Sequence, residues 1–198
     1  MTKSSEKRVF FFGDGEAEGA GLGKERLGGK GSGLAEMTAL GIPVPPGFTI
    51  DAAVSAGYSR GVDLEGLKHE VAEALSKVEA AAGRRFGDPA NPLLVSVRSG
   101  ARSSMPGMMD TILNLGLNKA TIKGLAAAAG ERFALDCRRR FLQMYGDVVL
   151  NTGKEDFEKA LTAKRQERGV ASDAELSAAD LADLVTRFED IIRKHTGR

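Results

Sequence analysis

With 198 residues the chain has room for one ordinary domain or two small ones. Its 28 Lys and Arg balance 27 Asp and Glu at a formal net charge of +1, which argues against a nucleic-acid domain built on a broad basic field and against an acidic tail protein. Cys137 is the only cysteine, so neither an intramolecular disulfide framework nor a cysteine-built zinc cluster is available.

In chain order, Val9–Phe12 is a four-residue apolar run, too short for a signal-peptide core and suited to a buried strand ended by Gly13-Asp14-Gly15. No run approaches the roughly 20 apolar residues of a membrane span, so a cytoplasmic protein without a membrane partner is expected. Residues 16–27 show no period and predict a loop. A helix is predicted from about Ser32, with Gly41 as its C-terminal cap. The stretch Ile42-Pro43-Val44-Pro45-Pro46-Gly47 is stiff and extended. Phe48–Ile50 predicts a strand, and Asp51 the N-cap of a helix. Leu64, Leu67, Val71, Leu75 and Val78 share one face of an amphipathic helix. Leu93–Val97 is the best strand pattern in the chain. Beyond it, residues 120–129, 132–150, 154–166 and 177–195 predict helices, the last opened by a capping box at Ser177 and Asp180. The expected fold class is therefore α+β: a small α/β lobe over residues 1–115 and an all-helical lobe over residues 116–198.

Glycine is the composition figure out of line. There are 25, and eleven of them lie between Gly13 and Gly47, without a collagen period. Within that cluster Leu27-Gly28-Gly29-Lys30-Gly31-Ser32-Gly33-Leu34 opens into the predicted helix. Glycines let backbone N–H groups crowd an anion, the helix N-terminus adds unpaired donors, and Lys30 adds a full charge. The spacing is not that of a Walker loop. A second polar loop follows the Leu93–Val97 strand, where Arg98, Ser99, Arg102, Ser103 and Ser104 supply guanidinium forks and hydroxyls suited to phosphate. Met105, Pro106, Met108 and Met109 give it an apolar rim.

These residues carry a resemblance. Leu27–Gly31, Leu34–Met37 and Gly41–Phe48 resemble the N-terminal ATP-binding domain of the pyruvate, phosphate dikinase family. Leu93–Arg102 and the run Met105–Gly116 resemble it more closely, and Arg139–Val149 is similar as well. The resemblance implies an ATP-grasp-like, partial nucleotide-binding domain. It belongs to an enzyme that interconverts ATP, phosphate and pyruvate with AMP, pyrophosphate and phosphoenolpyruvate. It further implies that Lys30 and Arg98 contact the nucleotide phosphates, with Gly28, Gly29, Gly31 and Ser99 beside them, and that Arg140 joins them. Arg102 is added on its spacing from Arg98. ATP is the implied cofactor, and the Mg²⁺ ligands are expected beyond this chain.

In that family the phosphoryl group passes through a histidine on a separate domain, and a metal-dependent pyruvate domain lies further on. His69 and His195 lack that histidine's Thr-Ser-His setting and read as surface residues. No catalytic residue is therefore expected in this chain. The implied partners are ATP, phosphate and those two further domains, with oligomerisation possible in the full enzyme. The expectation is the front part of a dikinase, able at most to bind nucleotide weakly. A phosphoenolpyruvate synthase-like fragment and a non-catalytic nucleotide-binding or interaction module are the alternatives. Cys137 reads as a partly buried structural thiol, Arg138–Arg140 as residues splayed around a helix, Asp110 as a loop cap, and 164–168 as a solvated helix end.

Overall fold

The computed structural model describes residues 7–58, 63–99 and 111–197. Two compact units emerge. One gathers the described residues up to Gly83, with Ser99; the other comprises Arg84–Arg98 and the described residues from Thr111 onward.

The first unit is built on β1 (Val9–Gly13), the middle strand of an antiparallel sheet of order β2-β1-β3, with β2 at Glu16–Ala17 and β3 at Gly47–Ile50. Every residue of β1 is buried. Successive strand side chains point to opposite faces, so an unbroken apolar run needs cover on both. Helix α1 (Gly23–Ala39) covers the Phe10 face, where Leu27 and Ala35 pack on that ring. Helix α3 (Leu64–Ala82) supplies Lys77 over the ring of Phe11. Between them runs the short α2 (Ala52–Tyr58). Asp63 caps α3 by accepting from the Gly66 N–H, and Gly83 closes it in the left-handed conformation. Arg8 ties α3 to the start of β1, its Nε 2.8 Å from Glu70.

The loop expected over residues 16–27 is confined to residues 18–22, with β2 before it and the first turn of α1 after it. The turn at Gly13-Asp14-Gly15, with φ of 128°, 49° and 78°, is tight enough to return the chain onto β1 at once. The helical turn was hidden because side chains anchor it individually rather than through an apolar stripe.

In the second unit, β4 (Arg85–Phe86) pairs in parallel with β5 (Pro92–Leu93), and β6 (Val95–Arg98) pairs antiparallel with β7 (Thr111–Leu115). The single strand expected at Leu93–Val97 is thus two short ones, serving different partners on either side of Leu94. The helices are α4 (Thr121–Ala129), α5 (Glu131–Val148), α6 (Glu155–Arg168) and α7 (Ala178–Thr196), with a 3-10 turn at Asp173–Glu175. The capping box at Ser177 and Asp180 is present in full. The core joins Leu142, Phe157, Leu176, Leu181, Leu184 and Phe188. Phe157 and Phe188 meet edge to face, 4.9 Å between centroids, and each fully buried ring contributes roughly 1.5–3 kcal/mol. Because β7 packs on α5, the β6–β7 hairpin goes with the helices rather than with residues 1–83, which differs from a boundary at residue 115. Among the described residues no helix is long and apolar enough to cross a membrane.

Candidate functional site

The glycine-lysine segment is a bend inside α1. Gly28 has φ 68° and ψ 169°, outside the helical region, and the helix resumes at Gly29, three residues before the predicted start. Gly29, Lys30 and Gly31 are thus the first residues of the resumed helix. The bend is held from both sides, by Thr49 of β3 and by Asp51 just after that strand. Before it, Arg26 Nε lies 2.7 Å from Asp51 Oδ2; Arg26 also donates to the Lys7 carbonyl and covers the Phe10 ring. Asp51 is buried, and its other oxygen caps α2 by accepting from the Ala53 N–H at 2.9 Å. After the bend, Gly31 lies so close to β3 that a Cβ there would sit 2.7 Å from Thr49 Cγ2. Lys30 projects outward between these anchors, exposed and without an ion-pair partner among the described residues.

The glycines of this segment now separate by cause. Gly28 is required by its positive φ, and Gly31 by packing against Thr49. Gly29 and Gly33 have helical dihedrals, and a Cβ on either would meet nothing within 4 Å among the described residues. Among the described residues, neither is needed for packing. Four residues apart, they leave one face of the helix start bare of side chains.

In the second unit, Arg98 ends β6 and is exposed, also without an ion-pair partner among the described residues; Ser99 beyond it is exposed too. Arg102 and Asp110 lie outside the described residues. The hairpin carrying Arg98 is irregular: Val95 pairs with Leu115, Val97 with Ile112, and Arg98 with Thr111. Three steps on β7 match two on β6, the signature of a bulge. Asn114 within it adopts φ 59°, and its Nδ2 donates to the Cys137 carbonyl of α5 at 3.3 Å.

The three arginines of α5 splay as the sequence predicts. Arg138 donates to the Leu117 carbonyl and pairs with Glu189 at 2.9 Å. Arg139 is buried against Asp136 and Asp173. Arg140 is the outward member, its Nε 2.9 Å from Asp136. Arg139 and Arg140 stand on the wall of a cleft of about 500 Å³ whose other residues include Leu113, Met144, Leu161 and Arg165. Cys137 is buried, and that burial pushes its thiol pKa up, as suits a structural residue. His69 and His195 are exposed, each facing one carboxylate. The solvated helix end expected at residues 164–168 is instead an ion-pair network. Lys164 is buried, with Nζ 2.6 Å from Asp183 and 2.8 Å from Glu167, and Arg168 reaches Asp180. Asp51 caps α2 as its position predicts, but its pairing with Arg26 and the role of Asn114 are announced by no local pattern, since each depends on a partner at least 23 residues away.

Residues 24–80, which include the bend, match the family model described as the pyruvate phosphate dikinase AMP/ATP-binding domain. The likeness extends further. The chain is 50% identical over 196 residues, 98% of its length, to pyruvate, phosphate dikinase 1, chloroplastic, of Arabidopsis thaliana. It is 49% identical over 194 residues to pyruvate, phosphate dikinase of Rhizobium meliloti (strain 1021), and 48% over 191 residues to the chloroplastic dikinase 1 of Zea mays, covering 96% of this chain in both cases. It belongs to the pyruvate, phosphate dikinase family. The chain spans about a fifth of the length of these relatives, 20%, 22% and 20% respectively. The dikinase likeness covers both the bend with Lys30 and the strand end with Arg98.

Proposed function

We propose that this chain is the nucleotide-binding front part of a pyruvate, phosphate dikinase and seats the phosphates of ATP. The observation that carries the reading is Lys30. It is exposed and unpaired among the described residues, two residues past a bend held by Asp51 on one side and by Thr49 on the other. Beside it, the backbone at Gly29 and Gly33 meets no packing partner among the described residues. An ammonium beside a helix start bare of side chains among the described residues is suited to an anion. Gly28, Gly29 and Gly31 shape that seat, and Arg98, Ser99, Arg102 and Arg140 are the further phosphate ligands of the proposal. Phosphoryl transfer requires positioning and charge neutralisation more than covalent help, which is what lysine and arginine provide.

The whole reaction in this reading converts ATP, phosphate and pyruvate to AMP, pyrophosphate and phosphoenolpyruvate through a phosphohistidine on another domain, and the ATP-grasp-like architecture is part of the same proposal. Phosphate and the phosphohistidine and pyruvate domains are the partners, in a cytoplasmic enzyme. In this reading the Mg²⁺ that accompanies ATP takes its protein ligands outside this chain. The dikinase reading is preferred to a phosphoenolpyruvate synthase because the relatives quoted above carry the dikinase name. It is tested in the full-length enzyme by Lys30→Ala and Arg98→Ala. Both lose ATP-dependent phosphorylation of the enzyme while pyruvate–phosphoenolpyruvate exchange persists. Equal loss of both half-reactions in folded protein would overturn it.

A further inference from the structure

The β6–β7 hairpin has a choice of register, and its choice decides what surrounds Arg98. From the shared pair Val95–Leu115, a regular antiparallel ladder would set Val97 opposite Leu113 and Arg98 opposite Ile112. The observed bulge adds one residue on β7, so Val97 meets Ile112 and Arg98 meets Thr111. Ile112 thereby stays on the apolar Val95–Val97 face, and Arg98 shares its face with the small, polar Ser96 and Thr111. A one-residue slip would place an isoleucine beside the guanidinium.

We infer that Asn114 is a positioning residue for Arg98, fixing the bulge that gives the guanidinium its polar neighbours. Two independent features of Asn114 serve this. Its φ of 59° lies in the left-handed region, which asparagine tolerates far better than β-branched residues. Its side-chain amide donates to the Cys137 carbonyl of α5 at 3.3 Å, pinning the bulge to the helix on which β7 packs. Bulges of this kind re-aim a side chain at the end of a strand. The inference rests on the assignment of Arg98 to nucleotide phosphate proposed above, but the register itself is measured without ligand.

The test uses this chain with Asn114→Gly, Asn114→Ala, Asn114→Val and Arg98→Ala, reading cross-strand proton contacts by NMR and affinity for ATP by calorimetry. Asn114→Gly accepts the positive φ and keeps the Val97–Ile112 and Arg98–Thr111 contacts, with ATP affinity within about twofold of the parent. Asn114→Val replaces them with an Arg98–Ile112 contact and weakens ATP about tenfold, to the level of Arg98→Ala, as expected for loss of one charge-assisted phosphate contact. Asn114→Ala shifts the same observables in the same direction, which covers the case in which the valine variant does not fold. An unchanged register in folded Asn114→Val or Asn114→Ala overturns the inference. So does a shifted register with ATP affinity retained while Arg98→Ala loses it. If Arg98→Ala itself binds ATP normally, the assignment of Arg98 to the nucleotide fails, and the proton contacts alone decide whether Asn114 sets the register.

Discussion

Replacing Gly29 by alanine sets stability against binding. The residue has helical dihedrals, and a Cβ there would meet no atom within 4 Å among the described residues. Removing a glycine from such a position lowers the entropy of the unfolded chain and stabilises the fold by about 0.4–1 kcal/mol, a rise of a few degrees in Tm. The same methyl would stand where a phosphate is proposed to approach the backbone, and ATP affinity is expected to fall about tenfold, or about 1.4 kcal/mol. Neighbouring glycines provide internal controls. Gly31→Ala pushes a methyl to 2.7 Å from Thr49 Cγ2 and costs about 1–3 kcal/mol of stability. Gly28→Ala forces φ 68°, ψ 169° on a residue with a Cβ and costs about 1–3 kcal/mol. Thermal unfolding and calorimetric titration with ATP on the same samples read both quantities. A Gly29→Ala protein that is more stable and binds ATP as well as the parent would refute the reasoning that this backbone is kept bare for a ligand.

Acid stability offers another check. Burial raises the Glu18 pKa, but hydrogen bonds from Lys7, Lys77 and the Phe11 N–H outweigh it and bring the carboxyl down to about 2. A depressed folded pKa stabilises above the unfolded value near 4.5 and is lost as pH falls toward 2, so Glu18→Gln should remove roughly 2–3 kcal/mol at neutral pH and flatten the acid limb between those values in urea titrations. Asp51→Ala removes both the Arg26 partner and the α2 cap; a loss of about 2–3 kcal/mol is expected by chemical denaturation. Lys164→Ala removes one of the two cations shared by Asp183 and Glu167, which keep Arg187, and should cost about 0.5–1 kcal/mol by chemical denaturation. Cys137 should react with a thiol reagent slowly in the native protein and rapidly in urea; equal rates would contradict its burial.

Much of the fold was legible because it is written in local periods. The helices of the second unit, the Ser177 capping box and the buried Val9–Phe12 strand all follow from spacing and capping chemistry alone. What escaped depends on partners distant in sequence. The first turn of α1 has no apolar stripe and is held by Arg26 on Asp51, 25 residues away. Strand β7 was hidden because its bulge breaks the two-residue alternation, and the bulge is explained only by α5. Lys164 looked like solvated charge because the acid that faces it is on α7. At the candidate site the glycine-rich segment and Lys30 were visible, but not that its glycines answer different needs: a positive φ at Gly28, a close approach at Gly31, and open backbone at Gly29 and Gly33.

Titration of ¹⁵N-labelled chain with ATP, in parallel for the parent, Lys30→Ala and Arg98→Ala, tests the central claim most directly. The predicted result is saturable binding that moves the amide signals of Gly28–Gly33 and Arg98, weakened about tenfold by either substitution. Equal affinity in all three proteins, or saturation that leaves the bend amides unmoved, would contradict it.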